Sequence, residues 1–273
     1  MQFSKVYQGK IKILILVFTL GIAYCWLVPL TPGQKEPYRI LVTNDDGIEA
    51  PGIQALSKEL RKVGEVIVVA PSGNRSGSSM SVSIGVKFRA KKHEKNGKLF
   101  GYSVNGTPAD AVIFGIREIA KGKKIDLVVS GINHGQNVGN IAHFSGTVGA
   151  AMTALHWGIP AVAVSLDINA NDYTFAAQYT ARFVSKLKRR GSPKNVILSI
   201  NIPAATQDEI KGVIPARMGR PYWSHRISLS EEFESGTDSH AYQQRMITIT
   251  PLRFDWTDYE VLDKLRTWNL TVN

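Results

Sequence analysis

Arg39-Ile40-Leu41-Val42-Thr43, running straight into Asn44-Asp45-Asp46-Gly47, is the stretch on which the fold turns. A β-branched apolar run without alternation reads as a strand buried on both faces, and the switch to Asn, Asp and Gly reads as the loop at its carboxyl end. A helix follows from Pro51, with Ile53, Leu56, Leu60 and Val63 on one face and Gly64 where a C-terminal cap belongs. The rhythm then repeats. Glu65 to Ala70, Asp126 to Ser130, Ala161 to Leu166 and Asn195 to Ile200 are further continuous apolar strands. Helices are expected from the capped start Thr107-Pro108-Ala109-Asp110, over Ser145 to Trp157, and over Tyr173 to Arg190. Strands of this kind, separated by helices, imply an α/β fold whose parallel sheet is covered on both faces.

The remaining stretches are less regular. Residues 79–104 look like short extended pieces with a turn at Asn96-Gly97. Beyond about residue 205 the chain turns polar and irregular, then gives a strand at Met246 to Leu252 and an amphipathic helix around Tyr259 to Trp268.

A parallel sheet gathers ligand groups at the carboxyl ends of its strands. Three loops rich in oxygen donors follow strands here: Asn44-Asp45-Asp46, Asn74-Arg75-Ser76 and Gly131-Ile132-Asn133. Asp45, Asp46, Ser76 and Asn133 form a hard, all-oxygen set that suits Mg²⁺ or Mn²⁺ rather than copper or zinc. Adjacent carboxylates repel unless a cation lies between them. The bland alternative for Asp45-Asp46-Gly47 is an ordinary turn, and the matching donors on two other loops outweigh it. A fourth element, Phe144 to Ala150, opens a helix with small residues. Free N–H groups at Gly146, with the Ser145 and Thr147 hydroxyls, offer a phosphate cradle, against the simpler reading of a helix N-cap. His134 and His143 are more often surface residues than general bases.

Composition narrows the classes. Hydrophobic residues are 44% and charged residues 20% of the chain, which suits a globular core. The net charge of +11 is scattered, which argues against a nucleic-acid stripe and for no nucleic-acid partner. The single cysteine, Cys25, lies in the N-terminal apolar run, so disulfides, zinc thiolates and cysteine nucleophiles are excluded from the domain. There is no Gly-Lys-Ser/Thr phosphate loop and no Gly-x-Gly-x-x-Gly after the first strand.

Ile13 to Leu30 is an uncharged run of 18 residues behind Lys5, Lys10 and Lys12. It reads first as a signal anchor over residues 1–30, with a cleaved signal peptide and a start placed too early as alternatives. An anchor would place the domain outside the cytoplasm with the membrane touched only by this segment; without it the chain would be cytoplasmic. Residues 31–37 read as a linker.

The motifs together resemble one family. Val42-Thr43-Asn44-Asp45-Asp46-Gly47-Ile48 with Ala50-Pro51-Gly52, Asn74-Arg75-Ser76-Gly77, Asn105 to Asp110, Val129 to Asn133 and Ser145 to Ala151 are similar to the SurE survival-protein family of nucleotidases. The resemblance implies a Rossmann-like sandwich over residues 38–273. It implies hydrolysis of nucleoside 5′- and 3′-monophosphates with one divalent metal at Asp45, Asp46, Ser76 and Asn133. It also implies a homodimer or homotetramer joined through an extended arm at about 215–250. Water attack, with Asp45 or Asp46 as catalytic group and Asn44, Asn133, Ser145, Gly146 and Thr147 on the phosphate, is the expected mechanism. A phospho-aspartyl route is the rival. The competing class is a non-catalytic, membrane-tethered nucleotide-binding module. Three departures bear on substrate preference: Ser72-Gly73 where the family has Asp-Arg, His134 where Arg is common, and no acid in Gly139 to His143.

Overall fold

A computed structural model describes residues 36–220 and 233–268. The stretch from Tyr38 onward forms one compact unit. Its frame is a nine-stranded sheet in the order β3-β4-β2-β1-β5-β6-β7-β9-β8. β1 (Arg39–Thr43), β2 (Glu65–Pro71), β5 (Leu127–His134), β6 (Ala161–Leu166) and β7 (Ile197–Ile202) run parallel through the centre. β3 (Ala90–Lys95) and β4 (Lys98–Val104) form a hairpin on one flank, turning at Asn96 and Gly97, both with positive φ. β9 (Met246–Leu252) lies antiparallel to β7 on the other flank, with β8 (Gly212–Pro215) outside it.

The uninterrupted apolar strands are buried on both faces, as their lack of alternation requires. Ile40 and Val42 face α1 (Pro51–Leu60) and α4 (Thr174–Arg190), where Ile53, Leu56, Ala177 and Val184 complete the layer. Leu41 faces α2 (Pro108–Phe114) and α3 (Gly146–His156), packed with Val112, Val148 and Ala151. The sandwich has helices on both sides of the sheet.

Two local devices aim the site. α2 starts with a reciprocal cap: Asp110 N–H donates to Thr107 Oγ1 at 3.1 Å, and Thr107 N–H donates to Asp110 Oδ2 at 2.9 Å. Asp110 also accepts from Ser83 N–H and Ser83 Oγ at 3.0 and 2.7 Å, tying the long loop after β2 to the first turn of α2. The second device is in β5. Gly131-Ile132-Asn133 does not break the strand, as the sequence suggested. It is a bulge inside it: Ser130 pairs with Ala163 and Asn133 with Ser165, two residues opposing Val164. The bulge re-aims Asn133 without ending the ladder. Gly131 permits it, since a Cβ there would lie 2.4 Å from Val164 O and its φ is +138°.

Several expected boundaries move. Gly64 does not take a left-handed cap; it is a point of close approach, with Tyr38 O 2.2 Å from where its Cβ would be. Part of the stretch expected as an arm sits in the fold, as α5 (Asp238–Gln243) and the buried β9. α6 (Tyr259–Arg266) buries no residue. Residues 221–232 and the whole N-terminal run lie outside the described residues, and with them the signal-anchor reading. Among the described residues no helix is long and apolar enough to cross a membrane.

Candidate active site

Thr43, the last residue of β1, lies opposite Ser130 of β5, so the loop after β1 meets the bulge that begins at Gly131. The loop is a clamp. Asn44 Nδ2 donates to Gly47 O at 2.9 Å and Gly47 N–H donates to Asn44 Oδ1 at 3.2 Å. Asn44 thus shapes the loop through its Oδ1 and one Nδ2 proton, and keeps its second Nδ2 proton to give. Gly47, at φ +104°, fits only without a Cβ, which would lie 3.1 Å from Gly73 Cα. The loop after β2 is stitched on by Arg75 N–H donating to Asp45 O at 2.7 Å. That bond holds Arg75 against the Asp45 backbone, and Ser76 follows it in an exposed turn fixed by its own N–H donating to Asn74 Oδ1 at 2.8 Å.

Asp45 is buried at the amino end of α3, where Thr147 Oγ1 donates to its Oδ1. Asp46 is half-buried, and its Oδ2 accepts from His134 N–H at 3.1 Å, which brings the Asn133-bearing bulge beside it. Asn133 Nδ2 donates to Gly135 O at 2.7 Å, leaving Oδ1 as its available donor atom for a cation. Ser145 Oγ caps α3 by accepting from Val148 N–H at 3.2 Å, so it keeps only its own proton to give. Gly146 is obligatory. A Cβ there would fall 2.7 Å from Ser78 Oγ and 3.0 Å from Asp45 Oδ2. The structure therefore gathers Asp45, Asp46, Gly146 and Thr147 tightly, with Ser76, Asn133 and Ser145 on adjoining backbone.

Burial pushes the Asp45 carboxyl up, against the pull of the Thr147 hydrogen bonds. Asp46 is pushed up to about 6 by burial first and the Asp45 charge second, partly offset by His134 N–H. Among the described residues neither carboxylate is in an ion pair, so the pair favours a proton or a cation over two bare charges.

A divalent cation is therefore tested by the chain itself. Ser78 Oγ is buried without a partner near the same point as Asp45 Oδ2, and Thr43 Oγ1 at the end of β1 and Ser130 Oγ opposite it in β5 are likewise unpartnered. Two carboxylates, neutral oxygens and an unsatisfied buried hydroxyl fit a hard cation. No cluster of three or more His, Cys, Asp or Glu occurs among the described residues.

Ser78 and Tyr173 were not visible in the sequence. Tyr173 OH lies 3.1 Å from His134 Nδ1, and burial, then the Asp46 charge, raises its pKa. A Ser in a Ser-rich loop and a Tyr at a helix start carry no periodic signal. His143 stacks edge-on against Trp256 at 5.6 Å and has no contact with either carboxylate.

The family model described as survival protein SurE matches residues 40–225. A protein named 5′-nucleotidase SurE from Chlorobium limicola is 37% identical over 254 residues, covering 86% of this chain and 98% of its own. One of the same name from Syntrophus aciditrophicus is 40% identical over 250 residues, covering 84% and 92%. The crystal structure of the SurE protein from Aquifex aeolicus matches with a TM-score of 0.73 at 35% identity, over 84% of this chain and 98% of that one.

Proposed function

The chain belongs to the survival protein SurE family, and from that premise we propose that it hydrolyses nucleoside 5′-monophosphates to nucleoside and phosphate. Hydrolysis of 3′-monophosphates and dependence on one Mg²⁺ or Mn²⁺ ion are part of the proposal. The observation that carries it is the adjacent Asp45–Asp46 pair, partly desolvated and without an ion-pair partner among the described residues, joined to a helix N-terminus.

Asp45, Asp46, Ser76 Oγ and Asn133 Oδ1 would hold the cation. Such a cation, when bound, neutralises charge on a phosphoryl oxygen and acidifies water. The Gly146 N–H, the Ser145 hydroxyl proton and the dipole of α3 supply the anion cradle. Thr147 serves it indirectly, by holding Asp45 at the helix end. Asp46, the more exposed carboxylate, is the group to take the proton from the attacking water as the ester bond to the nucleoside breaks. Tyr173 and His134 position that carboxylate through the His134 backbone.

Assembly into a homodimer or homotetramer belongs to the same reading. Phe254, Trp256 and Trp268 are 44%, 65% and 64% exposed beside a helix with nothing buried, a surface that favours cover by a second copy. A membrane-anchored location rests on Ile13 to Leu30 alone.

Phosphate release from 5′-AMP and 3′-AMP in Mn²⁺, then in excess chelator, tests the function. Release that stops with chelator and returns with added Mn²⁺ is expected. Nucleotide binding without release under any metal would favour the non-catalytic module instead.

A further inference from the structure

The Oγ of Ser78 is sealed from solvent and has no hydrogen-bond partner. A buried hydroxyl in that state costs free energy, and a native fold keeps one where something else satisfies it. The chain fixes this hydroxyl in place from both sides. Its neighbour Ser79 is pinned to the segment before α3 twice: the N–H donates to Phe144 O at 3.1 Å and the Oγ to His143 O at 2.7 Å. Gly149 admits this contact, since a Cβ there would fall 1.9 Å from Ser79 O. Gly146, about one turn earlier, admits Ser78 in the same way. Turns close the loop on either side, Ser78 N–H donating to Arg75 O at 3.3 Å and Ser81 N–H to Ser78 O at 3.1 Å. Two glycines three residues apart on α3 thus let the loop after β2 lie along the helix start, with Ser78 at its amino end.

What faces Ser78 there is a carboxylate. The point at Gly146 that lies 2.7 Å from Ser78 Oγ lies 3.0 Å from Asp45 Oδ2. Asp45 Oδ1 accepts from Thr147 Oγ1, so Oδ2 is the oxygen turned towards Ser78. Three roles compete for the hydroxyl. It does not donate to Asp45 Oδ2, because no hydrogen bond joins them. A phosphate ester arriving from solution does not reach an oxygen that water itself does not touch. A bare divalent cation is smaller than water and takes lone pairs from both oxygens at once, at about 2.1 Å for Mg²⁺. We propose that Ser78 Oγ is a further ligand of the divalent cation, a neutral oxygen beside Asp45 Oδ2 and additional to Ser76 and Asn133. This rests on the metal-dependent reading of the site. It gives Ser78 a second consequence: with the ion in place, the loop after β2, Asp45 and the start of α3 are held by one centre.

The test titrates Mn²⁺ into the metal-free full chain without nucleotide, followed by the electron paramagnetic resonance of free Mn²⁺. Ser78→Ala is expected to weaken binding about tenfold, while its metal-free melting temperature stays level or rises because an unsatisfied hydroxyl has gone. Ser78→Cys exchanges a hard donor for a soft one of nearly the same shape. It is expected to bind Mn²⁺ more weakly and Cd²⁺ more tightly than the parent. Cd²⁺ should then raise an ultraviolet thiolate-to-metal band that the parent, which also carries Cys25, lacks. Ser78→Ala with parental Mn²⁺ affinity overturns the proposal, and so does a Cys variant without the Cd²⁺ band. A fall in metal-free stability at unchanged affinity also overturns it and makes the hydroxyl structural. A parent that binds Mn²⁺ but releases no phosphate from AMP defeats the nucleotidase reading alone, whereas a parent that binds no Mn²⁺ defeats both.

Discussion

Thr147 Oγ1 donates a hydrogen bond to Asp45 Oδ1, linking the first turn of α3 to the loop after β1. The bond joins a buried hydroxyl to a buried carboxylate, so removing the donor leaves the carboxylate poorly solvated. Thr147→Val should cost about 2 kcal/mol in denaturant unfolding and lower kcat for AMP, while Thr147→Ser recovers most of both. A Val variant as stable and active as the parent would show that the bond does not hold the site.

Gly146 should admit no side chain. Gly146→Ala drives a methyl against Ser78 Oγ and Asp45 Oδ2, so metal affinity should fall at least about tenfold by Mn²⁺ titration. Gly73→Ala, at a position with nothing within 4 Å, is the matched control and should leave affinity unchanged.

How much of this was legible in the sequence follows from what each residue's neighbours in the chain reveal. β1 and its Asn-Asp-Asp-Gly loop announce themselves, because a strand buried on two faces must be uniformly apolar and must stop at polar turn residues. Ser145 as a helix start was equally plain. What was not legible is which partner a polar group takes across the fold. The Thr147 hydroxyl gives its proton to Asp45, and Asn44 spends its Oδ1 and one Nδ2 proton on Gly47. The Gly131-Ile132-Asn133 bulge looked like a strand end because Gly marks both.

The metal-free protein should respond to pH through Asp46. Its folded pKa, pushed up to about 6, lies above the ordinary carboxylate value of the unfolded chain. The folded state therefore holds a proton that the unfolded state has released, and Asp46 costs stability as pH rises through that window. Asp46→Asn should raise metal-free stability by about 1 kcal/mol at pH 7.5, a gain that shrinks to nothing near pH 4. Parallel thermal melts of the two proteins across pH check the sign; a variant less stable at pH 7.5 contradicts it.

Tyr173→Phe removes the hydroxyl that meets His134 Nδ1 and leaves the ring in the core beside α1. The expected cost is roughly threefold to tenfold in kcat/KM for AMP, with melting temperature nearly unchanged. A loss of stability without a loss of rate would make the contact structural.

Asp45, Asp46, Ser76 and Asn133 are proposed to hold one divalent cation that the hydrolysis of nucleoside monophosphates requires. The most direct test is phosphate release from AMP by the parent and by Asp46→Asn over one Mn²⁺ series. Saturating activation of the parent is expected, with no turnover by the variant at any Mn²⁺ concentration. Turnover by Asp46→Asn at the parental rate, or a parent indifferent to Mn²⁺ and chelator alike, would contradict it.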